Sequence, residues 1–345
     1  MHALRFRRIC IIERQQMKTQ QFELWTQCNN NCSYCYLGKR RFAGTPEQKI
    51  QNMNFALDWM RQYEHYDEYN NVSFIGGEFF QGQLDTPEVK AKWIELMEQM
   101  QDLFENDLIT ASWISATLTI GDQQDLFDTL KMFEGICTHQ KQLWIVTSYD
   151  TIGRFHSKEN LENWKHNMKE IKKRFPWVYL NTCMIITDDF CKKIISGELD
   201  LRAFREEYQT HLFIKPPYPI DDGSIDDNNA NIFSQDERLA KAKQEMNRRI
   251  PDFYPTKANF IAACEYLKKN QPEILKKMIE QRYRANNLYH VDKDSGKMEN
   301  AYRSRDNSKQ EGLAINTCGH SIAYRSYADC NDCIVCDKQR IERGE

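Results

Sequence analysis

The chain has 345 residues, 41% hydrophobic and 28% charged, with a formal net charge of -3. This is the composition of an ordinary soluble globular protein, large enough for one α/β domain with an appendage or for two domains. The charge gives no electrostatic case for a nucleic-acid backbone as partner, and no run approaches the roughly 18 apolar residues that a membrane span needs.

Residues 1–16 carry Arg5, Arg7, Arg8 and Arg14 with little patterning, and Met17 stands directly before the first clear strand. They read as a flexible arm or a mis-assigned start, and the absence of a signal-peptide core leads us to expect a cytoplasmic protein. The chain has 12 cysteines, seven of which fall into two spacing motifs. In a large chain without an export signal, that usage favours metal sites over disulfides.

Phe22 to Trp25 alternates as a strand and runs into Cys28-Asn-Asn-Asn-Cys32-Ser-Tyr34-Cys35. Three thiols in a Cys-x3-Cys-x2-Cys spacing, with no fourth nearby, leave one coordination position of a metal centre open, unlike a closed zinc site or a ferredoxin cluster. The spacing, with Tyr34 just before the last cysteine, resembles that of the radical S-adenosylmethionine superfamily. The resemblance implies a [4Fe-4S] cluster on Cys28, Cys32 and Cys35. Its open iron would bind the amino and carboxylate groups of S-adenosylmethionine, whose reductive cleavage yields a 5'-deoxyadenosyl radical that takes a hydrogen atom from substrate. A low-potential electron donor of flavodoxin or ferredoxin type is implied with it.

Thr45-Pro46-Glu47-Gln48 spells an N-cap, a first-turn proline and a capping box, followed by the apolar stripe Ile50, Met53, Leu57 and Met60. Val72 to Ile75 reads as a second strand that ends at Gly76-Gly77-Glu78, where the superfamily carries its Gly-Gly-Glu motif. By resemblance, Gly76 and Gly77 admit the methionine end of the cofactor and Glu78 receives its amino group; Phe79 stands where many members have proline. Thr86-Pro87 opens a helix with the stripe Val89, Trp93, Leu96, Met100 and Leu103. Strands near 109–119, 143–146, 178–186 and 211–214 alternate with helices near 122–134 and 161–171. The fourth strand ends in Thr147-Ser148-Tyr149-Asp150, which resembles the Ser-x-Asp segment of the branch with C-terminal auxiliary clusters. There Ser148 would sit near the cofactor and Asp150 would organise the turn. Asn181 and Thr182 read either as lumen residues or as strand polar pairs.

Alternating strands and helices imply parallel βαβ units. Six units suit a partial (β/α)6 TIM-like barrel; a doubly wound sheet shares the alternation, and the cysteine loop after strand one favours the barrel. We expect this α/β core over residues 17–216, a linker and helical extension over 217–312, and a cysteine-rich metal-binding tail over 313–345. In the tail, Cys318-Gly-His320 and Cys330-x2-Cys333-x2-Cys336 form a second metal site, either another [4Fe-4S] cluster or zinc, with His320 as an alternative ligand. The reading is a radical S-adenosylmethionine enzyme acting on a peptide, a nucleotide or modified base, or a small metabolite. The alternative is a non-catalytic iron-sulfur or zinc protein that carries electrons or binds a partner.

Overall fold

The computed structural model describes residues 18–30, 32–35, 44–215, 217, 237–280, 287–291 and 298–300. Six strands form: β1 (Thr19–Glu23), β2 (Asn71–Ile75), β3 (Ala111–Ser115), β4 (Gln142–Ser148), β5 (Tyr179–Ile185) and β6 (Thr210–Lys215). β1 is mostly polar yet wholly buried, and starts three residues before the expected Phe22 to Trp25 strand. They pair in parallel, each with the next in sequence. A doubly wound sheet reverses its strand order at a switch point, and this order contains no reversal across the six strands. Crossovers of one hand along such an order put the connecting helices on one face. The other face is the less buried one in β4 and β5, while β1 and β2 are covered on both.

Those helices are α1 (Pro46–Met60), α2 (Pro87–Glu105), α3 (Gln124–Met132), α4 (Lys158–Arg174), α5 (Asp188–Ser196) and α6 (Leu201–Tyr208). The capping box expected at α1 forms: the Gln48 N–H donates to Thr45 Oγ1, and the Thr45 N–H donates to Gln48 Oε1 at 2.9 Å. Thr86 caps α2 in the same way, through the Val89 N–H. The stripes of both helices are buried, except for partly covered Ile50. Between helices and sheet, Trp93 packs against Phe74, Phe79 and Phe80 with ring centroids 5.4–6.2 Å apart. Burial of such rings is the main stabilising term of this layer.

Beyond β6, α7 (Glu237–Arg249), α8 (Lys257–Asn270) and α9 (Pro272–Glu280) match the helical extension. The extension also holds two strands that were not anticipated, β7 (Asn287–Val291) and β8 (Met298–Asn300). β7 pairs in parallel with β1 and β8 pairs antiparallel with β7, so the sheet runs β6-β5-β4-β3-β2-β1-β7-β8. The segment taken as part of a linker and helical extension thus contributes strands to the sheet of the N-terminal unit. Among the described residues, no helix is long and apolar enough to cross a membrane.

Candidate functional site

The parallel ladder between β1 and β2 does not stop with the strands. The Gly77 N–H donates to Trp25 O at 3.2 Å and the Glu78 N–H to Gln27 O at 2.9 Å, so the exit of β2 lies against the chain that delivers Cys28. A Cβ on Gly76 would stand 2.4 Å from Trp25 O, and one on Gly77 would stand 2.0 Å from Gln27 O. Neither glycine has a positive φ. Glycine is required here for space, and what fills that space is the backbone of Trp25, Thr26 and Gln27, which leads into the cysteine loop. Asn29 fastens the loop further, donating to Gln81 O at 2.8 Å and accepting from the Gln83 amide at 2.9 Å.

Cys28, Cys32 and Cys35 are each half-buried and free of disulfides. The Asn30 N–H points at Cys28 Sγ (3.4 Å), the Asn30 side-chain amide at Cys32 Sγ (3.3 Å), and the Arg154 guanidinium stands 3.9 Å from Cys32 Sγ. These donors are the kind that stabilise a thiolate or a bound anionic sulfur. Burial pushes the Cys28 thiol up to about 11, with Glu78 and Cys32 adding to the shift and the Asn30 N–H and Arg154 opposing it. At neutral pH the bare thiol keeps its proton, which a metal has to displace. Among the described residues, no three His, Cys, Asp or Glu side chains are gathered to hold one metal ion.

Glu78 is fully buried. Its Oε1 accepts from the Phe79 N–H (2.9 Å) and the Phe80 N–H (2.8 Å), and its Oε2 from the Thr117 N–H, with the Thr117 hydroxyl beside it. Burial raises its pKa, and these donors offset part of the rise. A carboxylate offers about four acceptor positions, so an incoming ammonium would have to displace one of these donors. As it stands, Glu78 stitches the β2 exit to the β3 exit.

At the end of β4, Ser148 faces the open side in register with Cys183. Asp150 is buried; its Oδ1 accepts from the Ile185 N–H at 2.8 Å and its Oδ2 from the Tyr34 hydroxyl. The turn residue and the aromatic of the cysteine motif, far apart in sequence, are therefore partners. Tyr34 stacks on Phe253 (5.4 Å) and leaves no room for a side chain at Gly153, whose φ of 78° itself favours glycine. Of the two β5 polar residues, Asn181 lies on the open face. Thr182 is buried on the other face and bonds Thr210 at 2.9 Å.

Sequence reasoning missed Arg154, which is buried beside Cys32, Tyr34 and Asp150. Burial opposes its charge, and these three neighbours keep it protonated. Its Nε is buried with no hydrogen-bond partner, so the space next to Cys32 is short of an acceptor. His156, also missed, meets Asn30 O at 2.6 Å, and Ser33 donates to Gly153 O at 3.0 Å. Nothing in Thr151-Ile-Gly-Arg154-Phe-His156 marks these residues as buried; a Gly-Arg pair reads as surface turn. The arm at residues 1–16 and the second cysteine group, Cys318, His320, Cys330, Cys333 and Cys336, lie outside the described residues. No protein-family model matches the chain, and no curated protein matches it.

Proposed function

We propose that the chain is a radical S-adenosylmethionine enzyme on a partial (β/α)6 barrel. The reading is carried by one juxtaposition: the Trp25 to Gln27 segment that leads from β1 into the Cys-x3-Cys-x2-Cys loop is laid backbone to backbone along the Gly76-Gly77-Glu78 exit of β2. Supporting it are the unreversed strand order, the all-sulfur donor set, and a buried arginine beside Cys32 whose Nε lacks an acceptor.

In this reading Cys28, Cys32 and Cys35 hold a [4Fe-4S] cluster. When bound together, the cluster and S-adenosylmethionine supply one-electron cleavage of the sulfonium and a hydrogen-abstracting oxidant. The chain's own residues do the rest. Asn30 and Arg154 place donors on the sulfurs, Tyr34 and Asp150 tie the loop to the ends of β4 and β5, and Ser148 presents a hydroxyl on the open face. A low-potential donor of flavodoxin or ferredoxin type delivers the electron. Cys318, Cys330, Cys333 and Cys336 take a second cluster or zinc.

The test is anaerobic reconstitution followed by dithionite and S-adenosylmethionine, with 5'-deoxyadenosine assayed by mass and iron, sulfide and zinc counted. Wild type forms 5'-deoxyadenosine and a Cys28→Ala/Cys32→Ala/Cys35→Ala variant does not. About eight irons mean two clusters, and about four irons with one zinc mean a structural tail. A fully reconstituted wild type that never cleaves the cofactor, with any candidate substrate, refutes the enzyme and leaves an electron carrier or binding module.

A further inference from the structure

The edge strand β6 carries a second feature that the cysteine site does not use. Trp144 of β4, Asn181 of β5 and His211 of β6 line a cleft of about 330 Å³, bounded by Arg205 of α6 and Lys277 of α9. Asn181 is in register with Val146 and His211, and Cys183 is in register with Ser148. Asn181 is therefore one same-face step, about 6.6 Å, below the row that carries Ser148, and the cleft reaches from it around the edge of β6. Its volume lies within the range of small-molecule sites, at the low end.

Three features say what would fill it. Arg205 and Lys277 have no ion-pair partner among the described residues; Glu273, which also feels Arg205, is gripped by Arg202 through both oxygens at 2.7 and 3.0 Å. Burial, then the charges of Lys277, Arg205 and Lys172, hold the His211 imidazole below its ordinary pKa, so positive groups converge here. Asn181 Oδ1 is buried with no hydrogen-bond partner and asks for an N–H donor. Beside it, Trp144 stacks on Tyr179 at 4.8 Å and leans on His211 at 4.9 Å, making an aromatic wall. A fitting ligand brings an anion, an N–H and a flat face within one small volume. Phosphate suits the cations, and a nucleobase joins the other two properties.

We propose that the cleft binds a 5'-mononucleotide, with its phosphate among Arg205, Lys277 and His211 and its base against Trp144, an N–H directed to Asn181 Oδ1. As the substrate site of the enzyme proposed above, this rests on that reading; binding itself needs no cluster. The experiment is isothermal titration of AMP, GMP, CMP and UMP, each beside its nucleoside, and of inorganic phosphate. The proteins are wild type, the triple cysteine variant, Arg205→Ala, Lys277→Ala and Asn181→Leu, with melting temperatures as the check on folding.

At least one mononucleotide binds wild type and the triple cysteine variant equally, and its nucleoside binds about tenfold or more weakly. Arg205→Ala and the exposed-site Lys277→Ala each weaken the nucleotide by about tenfold and leave the nucleoside unchanged. Asn181→Leu weakens the nucleotide and leaves phosphate binding intact. The proposal is overturned if no mononucleotide binds, if phosphate binds as tightly as the nucleotides, or if well-folded Lys277→Ala binds like wild type. Nucleotide binding without 5'-deoxyadenosine formation sinks the radical reading alone, and the converse result sinks the cleft alone.

Discussion

Replacing Gly77 with alanine would put a methyl group 2.0 Å from Gln27 O and 2.5 Å from both Gln27 C and Thr26 O. All three are backbone atoms of the segment that delivers Cys28, so no change of rotamer relieves the contact. Real Cβ atoms do not approach closer than 3.0 Å, so this segment has to retreat by at least about 1 Å. That movement breaks the Glu78 N–H to Gln27 O bond, now 2.9 Å. Overpacking of this kind costs about 1–3 kcal/mol and a ladder hydrogen bond about 1 kcal/mol, for a loss of about 2–4 kcal/mol. Because Gly77 has no positive φ, torsional strain does not enter. The assay is anaerobic urea unfolding, with iron content after reconstitution as a second readout. Gly121→Ala is the control, since its Cβ would meet only Asn163 Oδ1 at 3.8 Å; it should change stability by less than about 0.5 kcal/mol. If Gly77→Ala is no less stable than Gly121→Ala and holds as much iron, the close-approach argument is wrong.

Tyr34→Phe keeps the stack on Phe253 and deletes the hydroxyl that Asp150 accepts from. Leaving that buried carboxylate oxygen unmatched should cost about 1–3 kcal/mol by urea unfolding, and an unchanged midpoint would dissolve the link between the cysteine loop and β4. Lys49 on α1 is fully buried, donating to Gln83 O at 2.7 Å and Asp85 at 3.0 Å. Lys49→Met should lose about 1–3 kcal/mol and Lys49→Ala more, because alanine adds a cavity; equal losses would argue that only the charge matters. Asp188 joins α5 to α8 by accepting from the Thr256 N–H at 2.8 Å and the Asn259 amide at 2.9 Å. Burial raises its pKa, but those donors and Lys192 outweigh it and hold the carboxyl below 3.8. A depressed acid stabilises above its unfolded value and loses that contribution as pH falls through the folded value. Asp188→Asn should therefore be less stable at neutral pH, and its unfolding curve should converge with wild type below pH 3.8; a constant gap at all pH values would refute the assignment.

How much could be read in advance differed by residue. Thr45, Pro46 and Gln48 specify a helix start through contacts only three residues apart, and the structure forms that box. The same locality made α2 legible from Thr86 and its apolar stripe. α5 and α6 were not anticipated, although Thr187 and Asp200 cap them, because each is short and the two follow one another inside a single crossover. β7 escaped notice because a five-residue strand in polar surroundings has little pattern of its own, and it is specified by pairing with β1.

Local chemistry in the sequence determined where the helices begin, which faces are apolar, that strands and helices alternate, and that three thiols share one loop. Those properties depend on neighbours within a turn or two of chain. Tertiary structure decided that the strands run in unreversed order, that Gly76 and Gly77 make room for the Trp25 to Gln27 backbone leading to Cys28, and that Glu78 is engaged by backbone donors. It also brought Tyr34 to Asp150, Arg154 to Cys32, and Arg205, His211 and Lys277 to one cleft. Each of these is a contact between segments distant in sequence, and its stability depends on burial and on charges that only the folded chain brings together.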